Sequence, residues 1–256
     1  MALHGVVGDI HGNREALRAV LEQLDLRGIR SLLCVGDLVG YNADSDDCVS
    51  LLRQRGALAV AGNHDLISVG KLGFERCANK VAYSLRRTRR SLSAPARAYL
   101  ASLPGYRVLE GRILLVHAGI RDVEQYIVAP GHIRQNAAYL RADFPELRIC
   151  LFCHVHAQKV YEVDGDEVRD LPIDLPVALR ADRRYFINPG SVDAARKPNR
   201  RFAEFAILDS TALQVEFRRV AYDSDASEAK ANAAGYRIGP WTDRIYTLRR
   251  RFAAVR

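Results

Sequence analysis

Apolar positions along this chain follow two rhythms in turn. Residues 2 to 8 form a short apolar run closed by Gly8-Asp9, and Ala16, Leu17, Val20, Leu21 and Leu24 then recur at the spacing of a helix with one buried face. The unit repeats. Ser31 to Val35 predicts a strand, Gly36-Asp37 its loop, Val49 to Leu52 part of a helix, and Ala57 to Ala61 a third strand ending at Gly62-Asn63-His64-Asp65. Such β-α-β-α-β alternation predicts an α/β protein with a parallel, doubly wound sheet. After Asp65 the alternation pauses. Val81, Leu85 and Leu92, then Tyr99, Leu100 and Leu103, predict two or three helices before Pro104-Gly105, an inserted helical cap over about residues 66–105.

Strands are predicted again at Ile113 to Val116 and Ile149 to Phe152, with a helix between them starting near Gly131-His132. In the last third, Lys159 to Val163, Tyr185 to Ile187, Phe202 to Leu208 and Leu213 to Arg219 follow one another with little helix, as in an antiparallel sheet. From Ser224 onward the chain reads as helical and basic, with Arg249, Arg250 and Arg251. The expected organisation is a main domain over residues 1–222 and a helical extension over residues 223–256 packed on it.

Composition narrows the class. The chain has 256 residues, 48% apolar and 27% charged, and no apolar run approaches the roughly 18 residues that a bilayer span needs. Its first residues show no basic n-region and no small-residue cleavage site, so a soluble cytoplasmic protein is expected. Five cysteines, an odd number scattered through predicted strands and helices, read as reduced thiols. Cys150 and Cys153 form a Cys-x-x-Cys, but within an apolar strand and not at a helix start, where a thiolate would be stabilised. The net charge of +8 is uneven: residues 66–110 hold nine basic side chains against Glu75 and Glu110. That segment suits an anionic partner, either a small phosphorylated substrate or nucleic acid, although any one arginine also fits a solvated helix face.

The residues with chemistry cluster by position. Asp9 and His11 follow the first predicted strand, Asp37 the second, Asn63 and His64 the third, His117 a later one, and His154 with His156 the next. In an open α/β sheet the carboxyl edge of the strands is where ligands bind. Imidazoles and carboxylates with one amide oxygen suit first-row divalent metals, and the Asp-x-His and His-x-His spacings put two side chains on one side of an extended backbone. His4, inside a strand, and His132, near a helix start, are assigned to structure.

These residues resemble the calcineurin-like metallophosphoesterases. Gly8-Asp9-Ile10-His11-Gly12-Asn13 is similar to the family's Asp-x-His-Gly motif, Gly36-Asp37 to its Gly-Asp motif, and Gly62-Asn63-His64-Asp65 to its Gly-Asn-His-Asp/Glu motif. Val116-His117-Ala118-Gly119 and His154-Val155-His156 complete the set in order, and Ile187-Asn188-Pro189-Gly190-Ser191 resembles a turn of the bacterial phosphodiesterase-like branch. One departure stands out: Cys153 occupies the place before the His-x-His where the family usually has glycine. This predicts an altered turn at His154 and a thiol sensitive to oxidation.

The resemblance implies an α-β-β-α sandwich with mixed central sheets and a dinuclear site. Asp9, His11 and His156 would hold one divalent ion, Asn63, His117 and His154 the other, with Asp37 between them. Manganese is the first expectation, with iron, nickel or zinc also suited. The implied reaction is hydrolysis of phosphate mono- or diesters by a metal-bridging hydroxide, with His64 as the acid that protonates the leaving group. Asp65 reads first as a helix cap and second as an orienter of His64; Asn13 carries the same ambiguity, and Asn188 reads as part of a turn. The substrate stays open: a small phosphorylated compound, including a nucleotide, a dinucleoside polyphosphate or a phosphoprotein. Two non-enzymatic readings compete, a metal-binding scaffold on the same fold and a nucleic-acid-binding protein that uses the basic segment.

Overall fold

A computed structural model describes residues 2–193 and 201–244. Strands β1 (Leu3–Val7), β2 (Ser31–Cys34) and β3 (Leu58–Ala59) alternate with helices α1 (Arg14–Leu26) and α2 (Ser45–Gln54), as the apolar pattern predicts. Helices α3 (Asn63–Val69), α4 (Asn79–Ser91) and α5 (Ala94–Ser102) come next. They are followed by β4 (Tyr106–Leu109), β5 (Ile113–Val116), α6 (Pro130–Asp143) and β6 (Ile149–Leu151). The remaining elements are β7 (Gln158–Asp164), β8 (Glu167–Asp170), β9 (Val177–Ala178), β10 (Arg184–Pro189), β11 (Phe202–Asp209), β12 (Gln214–Ala221) and α7 (Ser224–Ala233).

The strands form two six-stranded sheets, ordered β3-β2-β1-β11-β12-β9 and β4-β5-β6-β10-β7-β8. Both are mixed: β1, β2 and β3 run parallel, as do β5, β6 and β10, and the other pairings are antiparallel. The period-2 geometry of a strand decides the layers. In β2, Leu32 and Cys34 turn toward Leu17, Val20 and Leu24 of α1, while Leu33 packs with Leu115 and Leu151 of the second sheet. On that sheet's outer face, Leu114, Cys150 and Phe186 pack against Ile133, Ala137 and Leu140 of α6. The result is an α-β-β-α sandwich. Each fully buried leucine or isoleucine contributes about 1.5–3 kcal/mol, so the apolar interior between the sheets supplies much of the stability. In the inserted segment, α3 and α4 share a small apolar cluster of Ile67, Cys77, Ala82 and Leu85, whereas Ala96 and Leu100 of α5 join the core outside the first sheet.

The last third departs from the expected antiparallel sheet. Its strands do pair antiparallel to one another, but they are shared between the two sheets: β10 lies beside β6, and β11 beside β1. Strands β1 and β6 would otherwise present open edges, and pairing there satisfies both sets of backbone groups. Strands β4 and β8 are short and largely exposed, and β9 has only two residues, so no apolar alternation announced them. Helix α7 begins at Ser224, with the Asp223 side chain accepting from Ala226 N, and Lys230 binds Glu15 and Asp44 at 2.5 and 2.7 Å. Arg249, Arg250 and Arg251 lie outside the described residues. Among the described residues no helix is long and apolar enough to cross a membrane.

Candidate metal centre

Asp9, His11, Asp37, Asn63, His117, His154 and His156 come together at the pole where β1, β2, β3, β5 and β6 end, and all are buried. Asp9, His11 and His156 form one group whose ligand atoms lie within 4.8 Å of one another, and Asp37, His117 and His154 form another. Asn63 Oδ1 joins the second group, 3.0 Å from His117 Nε2. Asp37 Oδ2 stands between the two, 3.9 Å from His11 Nε2 and 3.5 Å from His117 Nε2. His64 Nε2 is 3.9 Å from the same oxygen, and His11, Asp37 and His64 make a third such group.

The backbone that presents these groups is held in an unfavourable conformation. Seven non-glycine residues among those described have positive φ, and five are Asp9, His11, Asp37, His154 and His156, with φ of 50° to 71°. Each such residue costs on the order of 1–2 kcal/mol and persists where surrounding contacts over-determine it. Those contacts are visible. Ile10 N and His11 N donate to Asp37 O, His154 N donates to Asp9 Oδ2 at 2.9 Å, and His64 N donates to Asp37 Oδ1 at 2.8 Å. Glycines let the loops come this close: a Cβ on Gly62 would lie 2.1 Å from Asp37 Oδ1, and one on Gly40 2.4 Å from His64 Nδ1.

The donor set fits divalent cations. Asp9 and Asp37, 0% and 1% exposed, are two carboxylates removed from water, and their ion-pair neighbours are imidazoles. Buried carboxylates need compensating charge, which bound cations supply. His117 Nδ1 lies 2.9 Å from Val35 O, so the proton belongs on Nδ1 and the Nε2 lone pair is left facing the Asp37 group. The ring nitrogens of His11 and His156 approach to 3.1 Å, and those of His117 and His154 to 3.2 Å, each pair aimed at a common point.

Neighbouring residues explain what the sequence left ambiguous. Asp65 Oδ2 accepts from Gly62 N, and its Oδ1 accepts from Leu38 N and Val39 N. It is therefore the third residue of α3 reaching back to cap the residue before the helix, and it also ties the third loop to the second. Burial pushes its carboxyl up to about 6, against the lowering effect of these amide bonds. Asn13 caps α1 by accepting from Ala16 N, and its amide also donates to Asp193. Asn188 Nδ2 donates to Cys153 O and Ser191 Oγ to Asp9 O, so the turn they share braces two of the loops. His4 bonds Ser31 and Glu110 within the fold, and His132 Nδ1 accepts from Val128 N at the start of α6.

Cys153 does not need the conformational freedom of glycine, for the positive φ angles of its turn fall on His154 and His156. Its buried thiol donates to Val35 O at 3.0 Å, and burial pushes it well above the ordinary thiol range, so the reactive thiolate is disfavoured. Cys150 and Cys153 are both free.

At the pole, Tyr41 and Tyr126 gave no sequence signal, and Arg76 gave one only as a member of the basic segment. Tyr41 packs its ring 4.6 Å from that of His11 and 4.8 Å from that of His64. Tyr126 covers His154 at 4.3 Å, and Arg76 reaches from the inserted segment to Asp122 Oδ1 at 2.9 Å. Arg76, Glu124 and Tyr126 line a cavity of about 280 Å3 over Asp37, Asn63, His64, His154 and His156. Nothing in their spacing connects them to the five loops, because only chain folding brings them there.

Known proteins share this plan. The family model for calcineurin-like phosphoesterases matches residues 5–172. An uncharacterized protein of Methanocaldococcus jannaschii is 30% identical over 223 residues, which is 85% of this chain and 87% of that protein. The crystal structure of a metallophosphoesterase from Sphaerobacter thermophilus is similar with a TM-score of 0.75 and 27% identity, covering 96% of this chain and 98% of that one. A protein from Pyrococcus horikoshii OT3 shares the fold at a TM-score of 0.70 and 20% identity, with coverage of 96% and 98%.

Proposed function

Since this chain belongs to the calcineurin-like phosphoesterase family, a family of metal-dependent phosphoester hydrolases, we propose that it hydrolyses phosphate mono- or diesters at a dinuclear centre. Asp9, His11 and His156 would hold one cation in this reading, Asn63, His117 and His154 the other, with Asp37 placed to serve both. The position of Asp37 carries it: one carboxylate oxygen faces ring nitrogens of both groups, at 3.9 and 3.5 Å. When bound, two divalent cations lower the pKa of water toward about 7 and offset charge on the phosphoryl oxygens.

The chain's own residues do the rest. His64 lines the cavity with its backbone amide held by Asp37 Oδ1, and in this reading its ring would donate a proton to the leaving alkoxide. Tyr41 packs on the His64 ring, which limits its rotation. Arg76, held by Asp122 and Glu124, brings guanidinium hydrogen-bond donors to the cavity that a phosphate ester would enter. The burial of Asp9 and Asp37 excludes bulk water, so these electrostatic effects act in a medium of low dielectric.

The test is hydrolysis of 4-nitrophenyl phosphate and bis(4-nitrophenyl) phosphate with manganese, iron, nickel or zinc added to chelated protein. Turnover restored by at least one metal supports the reading. A protein that binds metal but turns over neither ester under any of them would be a scaffold instead.

A further inference from the structure

The basic segment of residues 66–110 is only partly used by the metal centre. A second cavity, of about 610 Å3, lies beside the first, and the two share Cys77 in their linings. Its walls are residues 70–75, Cys77 and the face of α4 that carries Ala82, Arg86 and Arg89. Three cations line it, Lys71, Arg86 and Arg89, against one carboxylate, Glu75. The guanidinium carbons of Arg86 and Arg89 lie 4.8 and 5.1 Å from the centre of the Phe74 ring.

What holds these cations matters. Arg89 donates from Nε to Ile67 O at 3.1 Å, and Lys71 Nζ donates to Ala101 O at 2.6 Å. Among the described residues neither has a carboxylate within 4.0 Å, whereas Arg14, Arg121 and Arg180 are paired with Asp47, Asp143 and Asp182. Carbonyl oxygens, and for Arg89 also an aromatic face, fix these two cations in place without neutralising them. Positive charge is therefore pre-positioned in a cavity of the size that holds a small ligand, typically about 300–1,000 Å3.

We propose that this cavity is the subsite for a second phosphate group of the substrate, so that the compound cleaved at the metal centre carries phosphate beyond the scissile ester. The proposal rests on the phosphoesterase reading above and names its substrate class as a polyphosphorylated small molecule. A nucleic-acid strand fits less well, because the Phe74 ring is engaged by two guanidinium groups and is not a platform for bases.

Calorimetric titration of the full 256-residue chain in chelating buffer, with inorganic tripolyphosphate and with orthophosphate, tests the subsite directly. Tripolyphosphate should bind about tenfold more tightly than orthophosphate, and Arg86→Gln or Lys71→Gln should each raise its Kd about tenfold. Arg18→Gln, an exposed charge change on α1, should leave it unaltered. Tripolyphosphate failing to bind, binding equally to parent and cavity variants, or weakening as much in Arg18→Gln would each overturn the proposal. Hydrolysis of both nitrophenyl esters with manganese, iron, nickel or zinc, run alongside, separates the two claims. The binding pattern without hydrolysis sinks the phosphoesterase reading and leaves the subsite, while hydrolysis without that pattern sinks the subsite alone.

Discussion

The two ends of the sandwich solve the same problem, reversing the chain after a strand or helix, in different ways. At the end away from the metal centre, positive φ falls on Gly28, Gly56, Gly111 and Gly165, where an added Cβ would meet nothing within 4 Å. Glu110 and Leu213 are the non-glycine exceptions at that end. At the metal-centre end the same backbone conformation is taken by Asp9, His11, Asp37, His154 and His156, packed against one another and buried. Turns that only redirect the chain use the residue for which the conformation is cheap. Turns that aim a ligand atom accept the strain, and a lattice of backbone hydrogen bonds holds it.

The largest expected effect comes from removing the shared carboxylate. Asp37→Ala should lower kcat by on the order of a thousandfold or more, as the loss of several kcal/mol of transition-state stabilisation requires, with metal content falling too. Retained turnover would show that the strained end is not catalytic. His64→Ala sharpens the contrast, since it removes a proton donor but no predicted ligand. Metal content by atomic absorption should be unchanged while turnover of an alkyl phosphate drops about 10²–10⁴-fold, and an activated nitrophenyl ester should suffer less.

A matched pair of glycine substitutions probes the two ends with the same chemical change. Gly40→Ala drives a methyl group toward His64 Nδ1 and should cost about a hundredfold in kcat through misplacement of the ring. Gly56→Ala should lower stability by about 1 kcal/mol in denaturant unfolding and leave kcat alone. Equal kinetic effects of the two would erase the distinction.

Asp193 extends the comparison to pH. Burial pushes its carboxyl up to about 6, despite bonds from Asn13 and Asn42 and the nearby Arg237 charge. The folded chain thus binds this proton more tightly than the unfolded chain, whose value is the ordinary 3.8. Its contribution is fully present below pH ~4 and is lost as pH rises through about 6, a fall of about 3 kcal/mol. Asp193→Asn keeps the acceptor for both amides and should flatten that slope in unfolding measurements from pH 4 to 7; an unchanged slope would contradict the assignment. The smallest effect is expected at Cys153. Cys153→Gly loses the thiol bond to Val35 O and should cost about 1 kcal/mol of stability with metal uptake kept, because its turn does not call on glycine there.

Much of this was legible beforehand for a physical reason. Period-2 and period-3.6 apolar patterns report which face of an element is buried, so β1, α1, β2, α2, β5, α6 and β6 could be read directly. The candidate ligands were legible because each sits just past such a strand. Asp65 was harder: its role depends on the amides of Leu38 and Val39, 27 and 26 residues away, which no local pattern encodes. Strands β4, β8 and β9 have too little buried face to leave a periodic trace.

The sequence by itself determined the α/β class and the order of the strongly patterned elements, and it marked Asp9, His11, Asp37, Asn63, His64, His117, His154 and His156 at strand ends, while their division into ligands and acid follows from the family resemblance. Tertiary structure decided which of the two sheets each late strand joins, because edge pairing is a long-range choice. It also decided that Arg76, Tyr41 and Tyr126 surround the candidate metal centre, that Lys71, Arg86 and Arg89 line a cavity next to it, and that five candidate ligands carry left-handed backbone. Those are properties of close approach between distant segments, and only the packed chain brings those segments together.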